Sequence, residues 1–334
     1  SFHSPRSLRD WLAAPPSLRA ALQGLPPLGP TGLRDRQIDA ITALEASLKA
    51  DRPRALVQMA TGSGKTFTAI TEVYRLLKHA KARRVLLLVD TRNLGEQAEQ
   101  GLMSYVPSDD NRTFKELYNV QRLRSGHVAE GAQVCISTIQ RMHSILRGEA
   151  LDESAEDVSP AEAATAATPR AVACNPKVPP EFFDVVIIDE CHRSIYNLWR
   201  QVIEYWDAFL VGLTATPDNR THGFFRKDVV SECTHEKAAA DGVNVGNQVF
   251  LTDTEVSQAG GTLKARALVE RRERQTRKRR WEAQGEDEAH AATQLDRSVV
   301  NLDQIRTVVR AFRDAWPSIF PGRAELPKTL IFAK

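Results

Sequence analysis

The stretch Met59-Ala-Thr-Gly-Ser-Gly-Lys-Thr66 decides the fold predicted for this 334-residue sequence. It follows a short apolar run at 55–59 and opens a run with helical periodicity at 65–80. A glycine-rich turn between a strand and a helix is the context in which Gly-Lys-Thr binds phosphate. The strict pattern is met in its second half, because Met59 stands where it has its first glycine.

The residue types of this loop suit a nucleoside triphosphate with Mg²⁺. Gly62 and Gly64 let the backbone curl so that its N–H groups face phosphates, and the helix N-terminus adds its dipole. Lys65 supplies positive charge to the β- and γ-phosphates, and Thr66 can ligate Mg²⁺. A glycine-rich turn with a chance Gly-Lys-Thr is the alternative. The predicted nucleotide-binding residues of the loop are Thr61, Gly62, Ser63, Gly64, Lys65 and Thr66.

Strands and helices alternate around this loop. Apolar strands are predicted at 55–59, 85–89, 133–137, 185–189 and 210–214, with helices at 32–50, 65–80 and 94–105. Alternation of this kind predicts an α/β fold, in which a parallel sheet has helices on both faces. Strands this apolar belong in the centre of the sheet.

Two acidic residues end the strand in Val185-Val-Ile-Ile-Asp-Glu-Cys-His192. Strand ends are where an α/β sheet places residues that face a ligand. Asp189 is predicted to hold Mg²⁺, and Glu190 to orient and deprotonate an attacking water. An acidic strand end that caps the next helix is the alternative.

Gly212-Leu-Thr-Ala-Thr-Pro217 follows another apolar strand. The hydroxyls of Thr214 and Thr216 could sense the acidic loop if the two strands are neighbours. The alternative is an ordinary turn that ends at a proline.

The order of the three motifs resembles the superfamily 2 helicases and translocases. That family's acidic motif is Asp-Glu-x-His, matched by Asp189, Glu190 and His192, and its third motif is Ser/Thr-Ala-Thr. The resemblance implies a RecA-like fold, ATP and Mg²⁺ as cofactors, and motor coupling through His192, Thr214 and Thr216.

Leu33-Arg-Asp-Arg-Gln37 resembles an element that lies upstream of the phosphate loop in the same family. The resemblance implies that Gln37 reads adenine, with Arg34 beside the nucleotide. Arg36 stands where many members carry an aromatic residue, so base stacking is not expected there. A solvated helix residue is the alternative for Gln37.

Longer matches narrow the resemblance to the motor (R) subunit of type I restriction endonucleases. They are Arg84 to Ala98, Asp189 to Tyr196, Tyr205 to Pro217, Thr234 to Ala238 and Ala240 to Val245. This family implies an ATP-driven translocase on double-stranded DNA, partnered by methyltransferase and specificity subunits. A DNA-repair or type III restriction helicase is one alternative, which the stretch after Thr216 disfavours. A nucleotide- or DNA-binding module without turnover is the other.

The same resemblance implies that Thr91, Arg92, Ser137 and Thr138 contact DNA phosphates, since hydroxyl and N–H groups at strand ends bind phosphate without reading bases. Ordinary loop caps are the alternative for each of them. Residues 264–280 hold nine basic and two acidic side chains. We interpret them as a helical segment that is either a solvated face or a stripe for DNA or a subunit.

The domain organisation is inferred from these elements. We predict a proline-rich connector at 1–31, the first RecA-like domain at 32–219, a connector at 220–298 and the start of a second RecA-like domain at 299–334. Residues 149–180 are an acidic, solvated insertion, and the 220–298 connector holds a hairpin around Gly260-Gly261. In the second domain, 302–312 is a helix and 329–332 a strand. The family's nuclease and arginine finger are expected outside this chain.

Composition restricts the remaining classes. The net charge is +3, and apolar residues make up 42% of the chain. The longest plain apolar runs have five or six residues, whereas a bilayer span needs about 20, so no membrane segment is predicted. Four widely spaced cysteines argue against a zinc site and a disulfide framework. We therefore expect a cytoplasmic protein.

Overall fold

The computed structural model describes residues 17–29, 32–157, 159, 172, 174–195, 199–246, 249–250 and 302–332. It also describes the strand backbones at 261–263, 268–272, 279–283 and 288–290. The chain forms two units, Ser1–Gly246 and Asn247–Lys334. The first unit contains all three motifs.

A seven-stranded parallel sheet lies at the centre of the first unit, with the strand order β3-β4-β2-β5-β6-β1-β7. Every pairing between neighbouring strands is parallel, which confirms the predicted α/β class. The strands are β1 (Arg54–Met59), β2 (Val85–Val89), β3 (Val120–Arg122), β4 (Val134–Thr138), β5 (Val185–Ile188), β6 (Phe209–Thr214) and β7 (Val229–Cys233).

Helices cover both faces of the sheet. In β2, Val85, Leu87 and Val89 join one buried cluster, while Leu86 and Leu88 join another. Alternate side chains of a strand point to opposite faces, so each central strand is buried on both sides. The helices of this unit are α1 (Leu18–Gln23), α2 (Asp35–Lys49), α3 (Lys65–Lys78), α4 (Arg92–Ser104), α5 (Phe114–Leu117), α6 (Ile139–Arg147), α7 (Cys191–Ser194), α8 (Arg200–Glu204), α9 (Asn219–Phe224) and α10 (His235–Ala240).

The predicted domain bounds 32–219 are too narrow at both ends. Strand β7 lies after residue 219 and pairs with β1 at one edge of the sheet. Strand β3, which the sequence also did not predict, forms the opposite edge. Both are edge strands with partly exposed residues, so neither has the continuous apolar run of a central strand. Helix α1 lies inside the predicted connector 1–31, and its Leu22 is fully buried in the core.

The prediction of a solvated insertion at 149–180 is wrong for part of its length. Glu156, in the 3-10 turn Glu153–Glu156, is 5% exposed and pairs with Arg141. Val178 joins the core, and the Asn175 amide donates to the Ile145 carbonyl. The remaining residues, 158, 160–171 and 173, lie outside the described part.

The second unit differs from its prediction in three places. Strand β8 (Gly261–Leu263) pairs with β11 (Glu288–His290), so a hairpin around Gly260-Gly261 is wrong for Gly261, while Gly260 lies outside the described residues. Strands β9 (Leu268–Arg272) and β10 (Arg279–Ala283) form an antiparallel pair. The helix predicted at 264–280 is therefore wrong for the residues of these two strands, because their backbone groups form hydrogen bonds between the strands.

Helix α11 (Leu302–Ile319) confirms the amphipathic helix predicted at 302–312. Residues 329–332 form no strand, and the side chains of Leu330, Ile331 and Phe332 are exposed. That the second unit begins a RecA-like domain stays a prediction. Across the residues that the structure describes, no helix combines the length and apolarity that crossing a membrane requires.

Candidate nucleotide-binding site

The three motifs meet at one edge of the sheet. Strands β5, β6 and β1 are consecutive neighbours and run parallel, so their carboxyl ends lie side by side. The phosphate loop follows β1, the acidic pair follows β5, and Thr214 ends β6. Lys65 and Glu190, 125 positions apart in the sequence, are thereby brought together where α/β sheets bind ligands.

The loop adopts a conformation that requires its glycines. Gly62 has φ +83° and Gly64 has φ +93°, a region that side chains disfavour. A Cβ atom on Gly64 would lie 2.3 Å from Nε2 of Gln37. The hydroxyl of Ser63 donates to the Ala60 carbonyl at 2.6 Å, which closes the turn before α3 begins at Lys65.

Lys65 joins the loop to the acidic strand end. Its Nζ lies 3.0 Å from Oε1 of Glu190, and both side chains are partly buried. Thr66 is exposed at the start of α3, and the Thr61 side chain is also exposed. The predicted phosphate ligand and the predicted general base are therefore in direct contact.

The acidic pair fits the hard cation that the family implies. Burial raises the pKa of Asp189, the nearby Glu190 carboxylate raises it further, and Lys65 opposes both. A buried carboxylate next to a second one is stabilised by a bound cation. Carboxylate and hydroxyl oxygens, which Asp189, Glu190 and Thr66 offer, are the donor types that Mg²⁺ prefers. Glu190 itself has φ +45°, a strained backbone of the kind that gathers at functional sites.

A hydrogen bond connects the acidic motif to the Thr-Ala-Thr motif. His192 Nδ1 lies 2.8 Å from Thr214 Oγ1, and the tautomer of the imidazole sets which of them donates. Thr214 Oγ1 also accepts from the Thr216 backbone N–H at 3.2 Å. Burial lowers the pKa of His192, although Glu190 opposes this. The proximity that the sequence suggested is present, while the motor-coupling role stays a prediction.

Gly212 explains why the two motifs can approach so closely. A Cβ atom at this position would lie 2.3 Å from the Phe225 ring and 2.9 Å from the Cys191 sulfur. Cys191 is the residue between Glu190 and His192, so the strand carrying Thr214 must lack a side chain at Gly212.

Gln37 lies against the phosphate loop. Its amide accepts from the Arg34 backbone N–H at 3.0 Å and donates to the Gly64 carbonyl at 3.3 Å, and the residue is buried. It is therefore not a solvated helix residue. The Arg34 side chain is exposed. Arg36 pairs with Asp241 at 2.7 Å.

Two residues near the site were missed from the sequence. The Asn244 amide donates to the Thr61 carbonyl at 2.9 Å, so the segment after α10 touches the phosphate loop. Asp90 is 1% exposed and pairs with Arg193, next to the acidic motif. Both residues stand in the stretches that resemble the restriction motors, but their contacts depend on strand order.

The predicted phosphate contacts lie at, or just after, the carboxyl ends of the neighbouring strands β2 and β4. Arg92 begins α4 and pairs with Glu96 and Glu153, while Thr91 is its half-buried N-cap. Ser137 and Thr138 are buried, and Ser137 Oγ donates to the Thr138 carbonyl. Thr138 Oγ1 caps α6 and donates to Glu156.

This sheet, with a glycine-rich phosphate loop after one strand and an Asp-Glu pair after another, defines a P-loop protein with the RecA-like α/β fold of superfamily 2 helicases. The chain belongs to the family described as Type III restriction enzyme, res subunit, whose model matches residues 31–219.

Individual relatives confirm the resemblance to type I restriction subunits. The chain is 25% identical over 261 residues to the EcoKI type I endonuclease subunit of Escherichia coli, covering 72% of this chain and 20% of the relative. It is 27% identical over 215 residues to the Escherichia coli EcoAI endonuclease subunit, covering 63% of this chain and 22% of the relative. The chain thus spans about a fifth of these relatives.

One solved structure that the chain matches is a fragment described as an HsdR subunit of a type I restriction enzyme from Vibrio vulnificus. Its TM-score is 0.44 at 21% identity, over 72% of this chain and 38% of that chain.

Proposed function

We propose that this chain is the ATP-binding motor part of a type I restriction enzyme R subunit, which drives translocation along double-stranded DNA by ATP hydrolysis. The family model bears a type III name, whereas the curated relatives are type I subunits, and this favours the type I assignment.

One observation supports the proposal above the others. Lys65 contacts Glu190 at 3.0 Å, and His192 contacts Thr214 at 2.8 Å. These two contacts link the ends of β1, β5 and β6 into one continuous polar site. A phosphate-binding turn with no catalytic role would not need an acidic strand end and a threonine strand end beside it.

The side chains divide the chemistry between them. Backbone N–H groups of residues 62–66 and the Lys65 ammonium bind the phosphates. Thr66 and Asp189 would hold Mg²⁺, which supplies positive charge to the phosphates when bound. Glu190 orients a water and accepts its proton. Gln37 and Arg34 are proposed to recognise the adenine end of the nucleotide.

Nucleotide binding tests the proposal. Lys65→Ala should weaken Mg·ATP binding by about one to two orders of magnitude, since charged hydrogen bonds contribute about 1.5–3 kcal/mol each. The matched control is Lys115→Ala, an exposed lysine on α5, which should bind as the unchanged protein does. Equal affinity in both variants would remove the nucleotide site from this loop.

DNA is proposed as the second ligand, bound through phosphates at Thr91, Arg92, Ser137 and Thr138. Binding should be indifferent to sequence and should weaken steeply with salt, at a log–log slope of about −0.9 for each phosphate neutralised. Charge reversal of residues 277–280 should flatten that slope if the basic segment touches DNA. An unchanged slope would indicate that this basic segment is solvated and does not contact DNA.

The remaining proposals concern protein partners and location. The methyltransferase and specificity subunits of a restriction complex are the proposed partners, and the cytoplasm is the proposed location. Co-purification of the chain with both subunits would test the partners directly.

A further inference from the structure

The edge of the sheet that carries the proposed DNA contacts contains an anion site that one of the chain's own carboxylates already fills. Glu156 lies at the N-terminus of α6, where Thr138 Oγ1 donates to it at 2.6 Å. The Arg141 guanidinium donates to the same carboxylate at 2.5 Å and 3.2 Å. A hydroxyl, a forked guanidinium and a helix N-terminus are together the groups that bind a phosphate.

A second carboxylate of the same segment pairs with a second predicted DNA contact. Glu153 lies 3.0 Å from Arg92, and Arg92, Thr138, Glu153 and Glu156 line one pocket of about 330 Å³. Just beyond, the Ser159 hydroxyl donates at 3.1 Å to Asp90, which immediately precedes Thr91. Two of the four predicted phosphate contacts are therefore engaged by residues 152–157, which we name the acidic segment.

The charge balance of this surface depends on the acidic segment. Among the described residues, four arginines lie here, and their carboxylate partners are four glutamates. Two of these glutamates, Glu153 and Glu156, belong to the acidic segment, and the other two are on α4. Without the segment the surface carries an excess of two positive charges. The arginines are Arg92, Arg122, Arg124 and Arg141.

We propose that the acidic segment 152–157 is a built-in competitor that occupies the phosphate-binding surface and must be displaced for DNA to bind. This inference rests on the DNA-binding part of the proposed function and supplies its regulation. The apparent affinity of a site is reduced by the fraction of molecules in which it is free. A segment docked nine-tenths of the time therefore weakens DNA binding about tenfold.

Matched charge-neutralising variants test this proposal. Glu153→Gln with Glu156→Gln removes the two competing charges, and Glu130→Gln with Glu149→Gln removes two exposed charges outside the segment. Binding of a 30-base-pair DNA duplex is measured by fluorescence anisotropy at a series of salt concentrations. We expect about tenfold tighter binding and a slope steeper by about 1.8 in the first variant, with the second close to the unchanged protein.

The possible outcomes separate this proposal from the one on which it rests. Equal binding by all three proteins would overturn the competitor and leave DNA binding intact. Failure of every protein to bind the duplex at low salt would overturn both. Equal gains in the two variants would also overturn the competitor, because a general charge effect would then explain them.

Glu156 is buried, so its substitution could disturb folding. Glu153→Gln alone changes an exposed carboxylate and should give a smaller gain of the same sign. Hydrogen exchange on the unchanged protein gives an independent readout. Saturating duplex should speed amide exchange at 152–157, and unchanged or slower exchange there would contradict displacement.

Discussion

The Nζ atom of Lys65 lies 3.0 Å from Oε1 of Glu190, so the phosphate loop and the acidic strand end share an ion pair. Both residues have proposed roles toward ATP, one toward the phosphates and one toward the attacking water. The ammonium must therefore exchange a carboxylate for phosphate oxygens when nucleotide binds. Release of Lys65 would also free Glu190 to accept a hydrogen bond from water.

Glu190→Gln should strengthen Mg·ATP binding, because it removes the negative charge that competes for Lys65. The contact is partly exposed, so we expect a gain of about twofold to tenfold, below the full 1.5–3 kcal/mol of a charged hydrogen bond. Titration calorimetry with Mg·ATP measures it. Glu204→Gln is the control, since Glu204 pairs with Arg54 and Arg200 instead. Weaker binding in the Glu190 variant would show that its carboxylate supports the nucleotide.

Gly64→Ala should damage the phosphate loop for two separable reasons. The added Cβ is strained at φ +93°, and it would lie 2.3 Å from Nε2 of Gln37. We expect a loss of stability of about 1–3 kcal/mol in urea unfolding, together with weaker nucleotide binding. Adding Gln37→Ala should recover the steric part and leave the backbone part. No recovery in the double variant would place the damage in the backbone alone.

Thr214→Val should destabilise the first unit while largely sparing nucleotide binding. The change keeps the shape of a fully buried side chain but leaves the Thr216 N–H and His192 Nδ1 without their shared partner. Loss of a buried hydrogen-bond partner typically costs about 1–3 kcal/mol. Thr214→Ser, which keeps the hydroxyl, is the control and should retain both contacts. Equal unfolding free energies for the valine variant and the unchanged protein would contradict the prediction.

His79 should make stability depend on pH below neutrality. Burial lowers its pKa from 6.5, and the Arg75 charge lowers it further, although Asp109 opposes this. The unfolded chain therefore takes up the proton more readily. The stability contribution is complete above pH 6.5 and is lost as the pH falls through the folded pKa. Urea unfolding at pH 7.5 and 5.5 should show a smaller difference for His79→Gln than for the unchanged protein.

The exposed His127 supplies the control for this pH effect. His127→Gln should show the same difference between the two pH values as the unchanged protein. A His79 variant with the full pH dependence would mean that another group is responsible.

The sequence by itself determined the central sheet and the chemistry at its edge. Continuous apolar runs at β2, β5 and β6 are typical of strands buried on both faces of a parallel sheet, and the Gly-Ser-Gly-Lys-Thr turn sets the conformation of the chain after β1. These are local signals, because strand burial and turn conformation depend on neighbouring residues. The edge strands β3 and β7 carry no such run, and their existence depends on a partner strand.

Only the tertiary structure decided which distant groups meet. Asn244 reaches the Thr61 carbonyl because β7 pairs with β1, and Glu156 reaches Thr138 because the insertion folds back over the end of β4. No periodicity or spacing in the sequence predicts either contact. Composition indicated a solvated acidic insertion, but a buried arginine next to it requires a counter-charge, and Arg141 draws Glu156 out of solvent.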